Sequence, residues 1–222
     1  MSERWCQYVR EGIERAGGPV PFAVQQWQYL DPLTQIIRHH LPSGGRLLDV
    51  GCGSGLYPAL LAHHGYSAVG VDNDADIVAM AHEYGALLRS PATFAQADAF
   101  DLSTWHGAID LVYSLGVIEH FDPDDTVRLI AEQARCAPLV AVVVPSRHLH
   151  YSGTPTDERL HSRRVWCDLL ERAGLTVTSS FVFGAVPSTV SGIASRVLPM
   201  PLLRHLRDAL DLGMNICCVG RR

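Results

Sequence analysis

A glycine cluster, Gly51-Cys52-Gly53-Ser54-Gly55, lies between two apolar runs, with Asp49 just ahead of it and Asp72 closing the second run. Glycine here lets the backbone turn sharply and lets a ligand approach where a Cβ would collide. A glycine loop that opens a helix is suited to a nucleotide. Asp49 suits a cationic or amine-bearing ligand better than a pyrophosphate. A second group of chemistry-bearing residues comes later: Glu119-His120, then His148, His150 and Tyr151. Histidine can act as a general base because its ordinary pKa lies near the working pH. His148 and His150 also have the spacing of a metal-ligand pair, but no acid or thiol spacing completes it. A polar pocket lining is the better reading, and no metal is expected.

The elements that must position these residues follow from hydropathy and turn chemistry. Leu47, Leu48 and Val50 form a strand-type run. The helix behind the loop has Pro58 near its first turn and Gly65 just past its end. Ala68-Val69-Gly70-Val71 is a second strand, stopped by Asp72. Strand, glycine loop, helix, strand and acid make one nucleotide-binding βαβ unit. It departs from the dinucleotide fingerprint, because the third glycine comes one place early and Leu56 stands where that fingerprint has glycine.

Upstream, residues 2–17 read as a helix, and Asp31-Pro32 as the cap and first turn of another. Gln26, Trp27 and Tyr29 fall between them, as core aromatics or as neighbours of the ligand. Downstream, the pattern predicts a helix over Asp74–Leu88, a strand over Thr93–Asp98 ending on an acid, and a strand over Ile109–Ser114. Asp122-Pro123 opens a helix to Cys136, and Leu139–Val144 is a buried β-branched strand. Pro145–Leu160 is a long polar loop. Ser162 caps a helix, Val177–Phe183 is a strand, residues 184–212 form an irregular and helical insert, and Ile216–Val219 is a short last strand. The alternation predicts an α/β fold, doubly wound, with a mostly parallel seven-stranded sheet and helices on both faces. The expected organisation is a single domain, with residues 1–42 a helical cover and 43–222 the core.

At 222 residues and 24.3 kDa the chain can bury a proper core. All 18 basic residues are arginine, and the net charge of −5 argues against broad nucleic-acid or anionic-membrane binding. The polar N-terminus predicts no signal peptide, and no apolar run is long enough for a membrane span. Six cysteines without a C-x-x-C pair read as reduced thiols of a cytoplasmic protein, with Cys217-Cys218 as small core residues. Arg163 and Arg164 read as a solvated helix start, or as partners for an anionic substrate group.

The D-x-G-x-G-x-G run at Asp49–Gly55, the acids Asp72 and Asp98 after the next two strands, and S-L-G-V-I-E-H-F from Ser114 to Phe121 have one thing in common. Together they resemble the class I S-adenosylmethionine-dependent methyltransferases of small-molecule type, over roughly residues 30–220. The resemblance implies S-adenosylmethionine as cofactor, S-adenosylhomocysteine as product, and a seventh, antiparallel strand. It implies that Gly51, Cys52, Gly53 and Gly55 lie against the cofactor, with Asp49 anchoring its amino-acid end. Asp72, beside Asn73, would accept both ribose hydroxyls. Asp98 would accept from the adenine amino group, and the Ala99 N–H would donate to a ring nitrogen. Ser114 and Leu115 would present backbone groups near the sulfonium. Singly, each acid also reads as a strand-end cap; their joint spacing favours the cofactor.

His120 would be the base, with Glu119, His148, His150 and Tyr151 on the acceptor side. Tyr113-Ser114-Leu115-Gly116 stands where relatives that methylate amide or exocyclic amine nitrogens carry N-P-P-Y, which turns the expectation away from those targets. The expected reaction moves a methyl group to a hydroxyl, or an amine, of a small molecule such as a natural product or quinone-type acceptor. No nucleic-acid partner is expected. The rival readings are a nicotinamide-dependent oxidoreductase and a non-catalytic S-adenosylmethionine-binding accessory protein.

Overall fold

The computed structural model describes residues 2–42, 44–148, 158–185 and 199–222. Strands β1 (Arg46–Val50), β2 (Ser67–Asp72), β3 (Thr93–Gln96), β4 (Leu111–Leu115), β5 (Leu139–Pro145), β6 (Thr176–Ala185) and β7 (Gly213–Arg221) form one sheet. Their order is β3-β2-β1-β4-β5-β7-β6. β1 runs parallel to β2 and to β4, and β2 parallel to β3, whereas β7 is antiparallel to β6. The helices are α1 (Ser2–Ala16), α2 (Pro19–Tyr29), α3 (Asp31–His40), α4 (Leu56–His63), α5 (Ala75–Leu87), α6 (Pro123–Cys136), α7 (Arg163–Arg172) and α8 (Met200–Ala209). The mostly parallel seven-stranded α/β sheet is as the alternation of elements predicts. Among the described residues no helix is long and apolar enough to cross a membrane.

The chain divides into two compact units, Met1–Leu115 with Glu132–Val140, and Gly116–Ala131 with Ala141–Arg222. In the first, β1 and β4 bring Leu48, Val50 and Val112 into a core with Val71, Leu102, Ile109 and Cys136. A second cluster joins Val9 and Ile13 of α1 and Ala23 of α2 to Leu56 of α4 and Ile77 and Met80 of α5. The N-terminal helices are therefore packed against the helix that begins at the glycine loop. In the second unit, β6 and β7 pair along nearly their whole length, and the buried residues Trp166, Leu169 and Leu170 of α7 belong to its core.

Several boundaries move from their expected places, each for a local reason. α2 forms where the sequence reads as a connection. Pro19 sits in its first turn, where a backbone N–H has no helical partner to lose. Asp31 is inside α3 and not its cap; its carboxylate accepts from the Gln35 amide at 2.7 Å. The strand before Asp98 ends at Gln96, since Asp98 turns the chain by accepting from the Phe100 N–H at 2.9 Å. The fourth strand begins at Leu111, because Asp110 is taken up by Arg46 at 2.8 Å. β7 is nine residues long, held in register by β6. The caps at Asp122 and Ser162 form as expected, whereas Asp74, read as the first helical residue, stands just outside α5 as its cap.

Candidate functional site

The glycine loop is fixed from below by its backbone. The N–H groups of Gly51 and Cys52 both donate to the Val71 carbonyl, at 2.8 and 2.9 Å, tying the end of β1 to β2. Gly53 has φ +52°, a left-handed conformation open to glycine and strained for other residues. Gly55 is required by packing as well as by its φ of +68°. A Cβ there would lie 2.6 Å from the Phe94 ring and 2.7 Å from the Ala81 methyl. Cys52 is buried among Val78, Ala81 and Phe94, where burial pushes its thiol far up in pKa, so it is a packing group and not a nucleophile.

The carboxylates around the loop differ from one another. Asp49 is 1% exposed, and its Oδ1 has no hydrogen-bond partner among the described residues. Burial raises its carboxyl well above the usual range; the neighbouring Tyr113 hydroxyl works against that rise, and the charge of Asp72 adds to it. Tyr113 itself is fully buried, and its hydroxyl lacks the geometry of a hydrogen bond. Asp72 is partly buried at the end of β2, where burial raises its pKa and the N–H groups of Asp74 and Gly53 oppose the shift. Those contacts are long, 3.2 Å from Asp74 and 3.4 Å from Gly53, which leaves acceptor capacity on both oxygens.

Asn73 is exposed beside Asp72, and its carbonyl takes the Gln96 amide at 2.9 Å. Asp98 is exposed on the turn after β3, with Ala99 next to it half-buried. Ser114 is buried at the end of β4, with the Gln133 amide 3.5 Å from its hydroxyl, and Leu115 is half-buried. These expected cofactor residues are thus all in the first unit, and the loop, Asp49 and Asp72 meet around the ends of β1 and β2. Trp27 stacks on His64 at 4.5 Å, beneath Arg38, which makes it a packing aromatic.

The expected acceptor residues lie in the second unit. Glu119 and His120 form a tight turn, Ile118–His120, in which Glu119 is 1% exposed. Arg159, which no sequence pattern singles out, holds that turn. Its N–H donates to the Glu119 carbonyl and its guanidinium to the His120 carbonyl, both at 2.9 Å. One ligand atom each from Glu119, His120 and Glu158 lie within 4.8 Å of one another, a set able to orient the imidazole or to hold a cation.

His148 and His161 line one cavity of about 130 Å³ with Ser146, Arg163, Asp211 and Ile216. The His148 Nε2 is buried there with no partner among the described residues. Arg163 is not a solvated helix start: it pairs with Asp208 at 2.6 Å and Asp211 at 3.0 Å. Cys218 lies against Cys167 of α7 at 3.8 Å, a contact that sequence spacing could not show. His150 and Tyr151 lie outside the described residues.

Comparison with known proteins gives this geometry its relatives. A family model described as a methyltransferase domain matches residues 47–137. Ajmaline N-methyltransferase of Rauvolfia serpentina is 28% identical over 159 residues, covering 70% of this chain and 51% of that one. A ubiquinone biosynthesis O-methyltransferase of Methylococcus capsulatus is 28% identical over 182 residues, covering 81% of this chain and 69% of that one. The segment that carries the glycine loop, Asp72 and the turn after β4 is thus similar to methyltransferase domains. Magnesium protoporphyrin IX methyltransferase from Synechocystis, solved with S-adenosylhomocysteine, shares the fold with a TM-score of 0.64 at 16% identity. It covers 97% of this chain and 87% of its own. The chain spans about half the length of the ajmaline enzyme.

S-adenosylhomocysteine, the molecule bound in the Synechocystis structure, is the demethylated form of S-adenosylmethionine, which carries an ammonium, a sulfonium, a ribose diol and an adenine. The residues present fit such a molecule. A buried carboxylate oxygen without a partner among the described residues, at Asp49, is a site for a cationic group, and two under-used carboxylate oxygens at Asp72 match a diol.

Proposed function

We propose that the protein is a class I S-adenosylmethionine-dependent methyltransferase that passes the sulfonium methyl to a hydroxyl of a small molecule, with an amine as the second choice. The observation that carries the reading is the glycine loop with Asp72 at its rim and the unpartnered Asp49 oxygen beneath it. Asp72 takes the ribose hydroxyls, Asp49 the amino-acid end, and Gly51, Cys52 and Gly53 lie along the cofactor with Asn73 beside the ribose. Asp98 and Ala99 serve the adenine, and Ser114 and Leu115 lie near the reacting methyl. Gly55 holds the loop onto Phe94.

Bound, the cofactor supplies an already activated methyl. The protein's part is to align the acceptor oxygen with the sulfur–methyl bond and to exclude water. His120, next to Glu119 on the Ile118–His120 turn, takes the hydroxyl proton as general base. A hydroxyl target is favoured by the cavity at His148 and His161, where a buried imidazole nitrogen awaits a polar partner. The names of the ajmaline and ubiquinone relatives support a ring-bearing natural product or quinone precursor as the acceptor class.

The test is formation of S-adenosylhomocysteine across a panel of phenols, catechols and alkaloid amines. Turnover on a phenolic acceptor is expected. His120→Ala should lower kcat by about 10²-fold while leaving cofactor affinity unchanged. Turnover confined to amines, or an undiminished kcat in the variant, would overturn the assignment of acceptor or base. Binding of S-adenosylmethionine without turnover on any acceptor would favour an accessory role.

A further inference from the structure

We propose that Tyr113 is a positioning residue that sets Asp49 to receive the cofactor's ammonium, so that affinity at this loop depends on that amine. The inference rests on the reading that the loop binds S-adenosylmethionine. Asp49 and Tyr113 are register partners on the adjacent parallel strands β1 and β4, so their side chains leave the same face of the sheet. Asp49 is 1% exposed and Tyr113 fully buried, yet among the described residues neither the Asp49 Oδ1 nor the Tyr113 Oη has a hydrogen-bond partner in good geometry, although the two groups are near enough for the hydroxyl to favour the ionised carboxylate. A buried polar atom left unpaired is destabilising, and such atoms are rare in folded proteins. Two of them side by side imply an arrangement completed by a ligand.

The surrounding groups do not complete it. The Thr34 hydroxyl donates to the Leu30 carbonyl at 3.1 Å, so its one proton is spent. In the 3.0 Å contact between Thr34 and Tyr57, Tyr57 is then the donor. The Tyr57 ring stands edge-on to Tyr113, with centroids 5.6 Å apart, and fixes its orientation. The proton of Tyr57 is committed, which leaves Tyr113 as the hydroxyl able to donate to Asp49. The loop amides are committed too, those of Gly51 and Cys52 to Val71 and that of Gly53 to Asp72.

An ammonium arriving at Asp49 stabilises the ionised carboxylate. The Tyr113 O–H can then turn into a charge-assisted hydrogen bond with it, and both orphaned atoms gain partners in one step. A ligand without the amine brings Asp49 no counter-charge, so its affinity does not draw on the contact between Tyr113 and Asp49.

Calorimetric titration of the whole chain tests this with two probes, S-adenosylhomocysteine and 5′-methylthioadenosine, the second carrying nucleoside and sulfur but no amino acid. Tyr113→Phe keeps the ring and its packing, and a thermal melt checks that it folds. The expected result is an approximately tenfold loss for S-adenosylhomocysteine, with 5′-methylthioadenosine affinity unchanged. Asp49→Asn should lose at least as much for the first probe, and the double variant no more than Asp49→Asn alone. Equal losses for both probes would show a packing role and overturn the proposal, as would no loss for either. Wild-type protein that binds neither probe would instead overturn the cofactor reading beneath it.

Discussion

The glycine loop after β1 and the turn after β4 treat their polar groups in opposite ways. At the loop, among the described residues, a buried carboxylate oxygen of Asp49 has no partner, and Asp72 is met by the amides of Asp74 and Gly53 at the long distances of 3.2 and 3.4 Å. At the Ile118–His120 turn, Arg159 closes the carbonyls of Glu119 and His120 at 2.9 Å each, and the Thr126 hydroxyl reaches the Ile118 carbonyl at 3.1 Å. A turn whose backbone is satisfied by its own chain is a fixed mount for the side chains it carries. A loop with buried polar atoms left over keeps electrostatic energy in reserve, released when a cation or diol arrives.

Substitutions can break that contrast, and the largest effect is expected where the loop rests on its neighbours. Gly55→Val should destabilise the fold by about 2–4 kcal/mol, from left-handed strain and overpacking against Phe94 and Ala81. Urea denaturation measures it, and an unchanged midpoint would mean that the loop yields more easily than its contacts suggest.

Next come two changes of opposite sign. Arg159→Ala should destabilise by about 1–2 kcal/mol, because the His120 carbonyl loses a charged donor. Asp49→Asn should stabilise the ligand-free protein at neutral pH by about 1 kcal/mol, because a buried charge is removed.

The sign of the pH dependence follows from burial. The folded state holds the Asp49 proton to higher pH than the unfolded chain does. Its stabilising contribution is therefore complete below the ordinary carboxylate range and lost as pH rises through the raised folded value. The melting advantage of Asp49→Asn should accordingly grow with pH across that window, and a constant difference would contradict a raised pKa. Smallest of all, Cys52→Ser should leave turnover intact and lower stability by about 1 kcal/mol, since the thiol only packs.

Much of the loop region was legible in the sequence because its constraints are local. The glycines demand particular backbone angles, and Asp74, Asp122 and Ser162 cap helices that begin beside them. What could not be read depends on register and on distant partners. Nothing in Tyr113-Ser114-Leu115 says that Tyr113 stands opposite Asp49, because that follows from how β4 pairs with β1. Arg163 reads as solvated until Asp208, in the last turn of α8, and Asp211, just past it, approach. Gly55 looks like part of a ligand cradle, yet its missing Cβ makes room for Phe94 of β3. The acceptor loop is the least legible part, since polar residues of mixed type carry no period.

The central claim is that the loop, with Asp72 at its rim, holds S-adenosylmethionine by its ribose. Calorimetry with S-adenosylhomocysteine and with a nicotinamide dinucleotide, on wild-type protein and on Asp72→Ala, tests it most directly. Wild-type protein should bind the first and not the second. Asp72→Ala, still folded by its melting curve, should lose about one to two orders of magnitude in affinity, as expected for charged hydrogen bonds to a diol. Unchanged affinity in the folded variant, or preferential binding of the dinucleotide by wild type, would contradict the account.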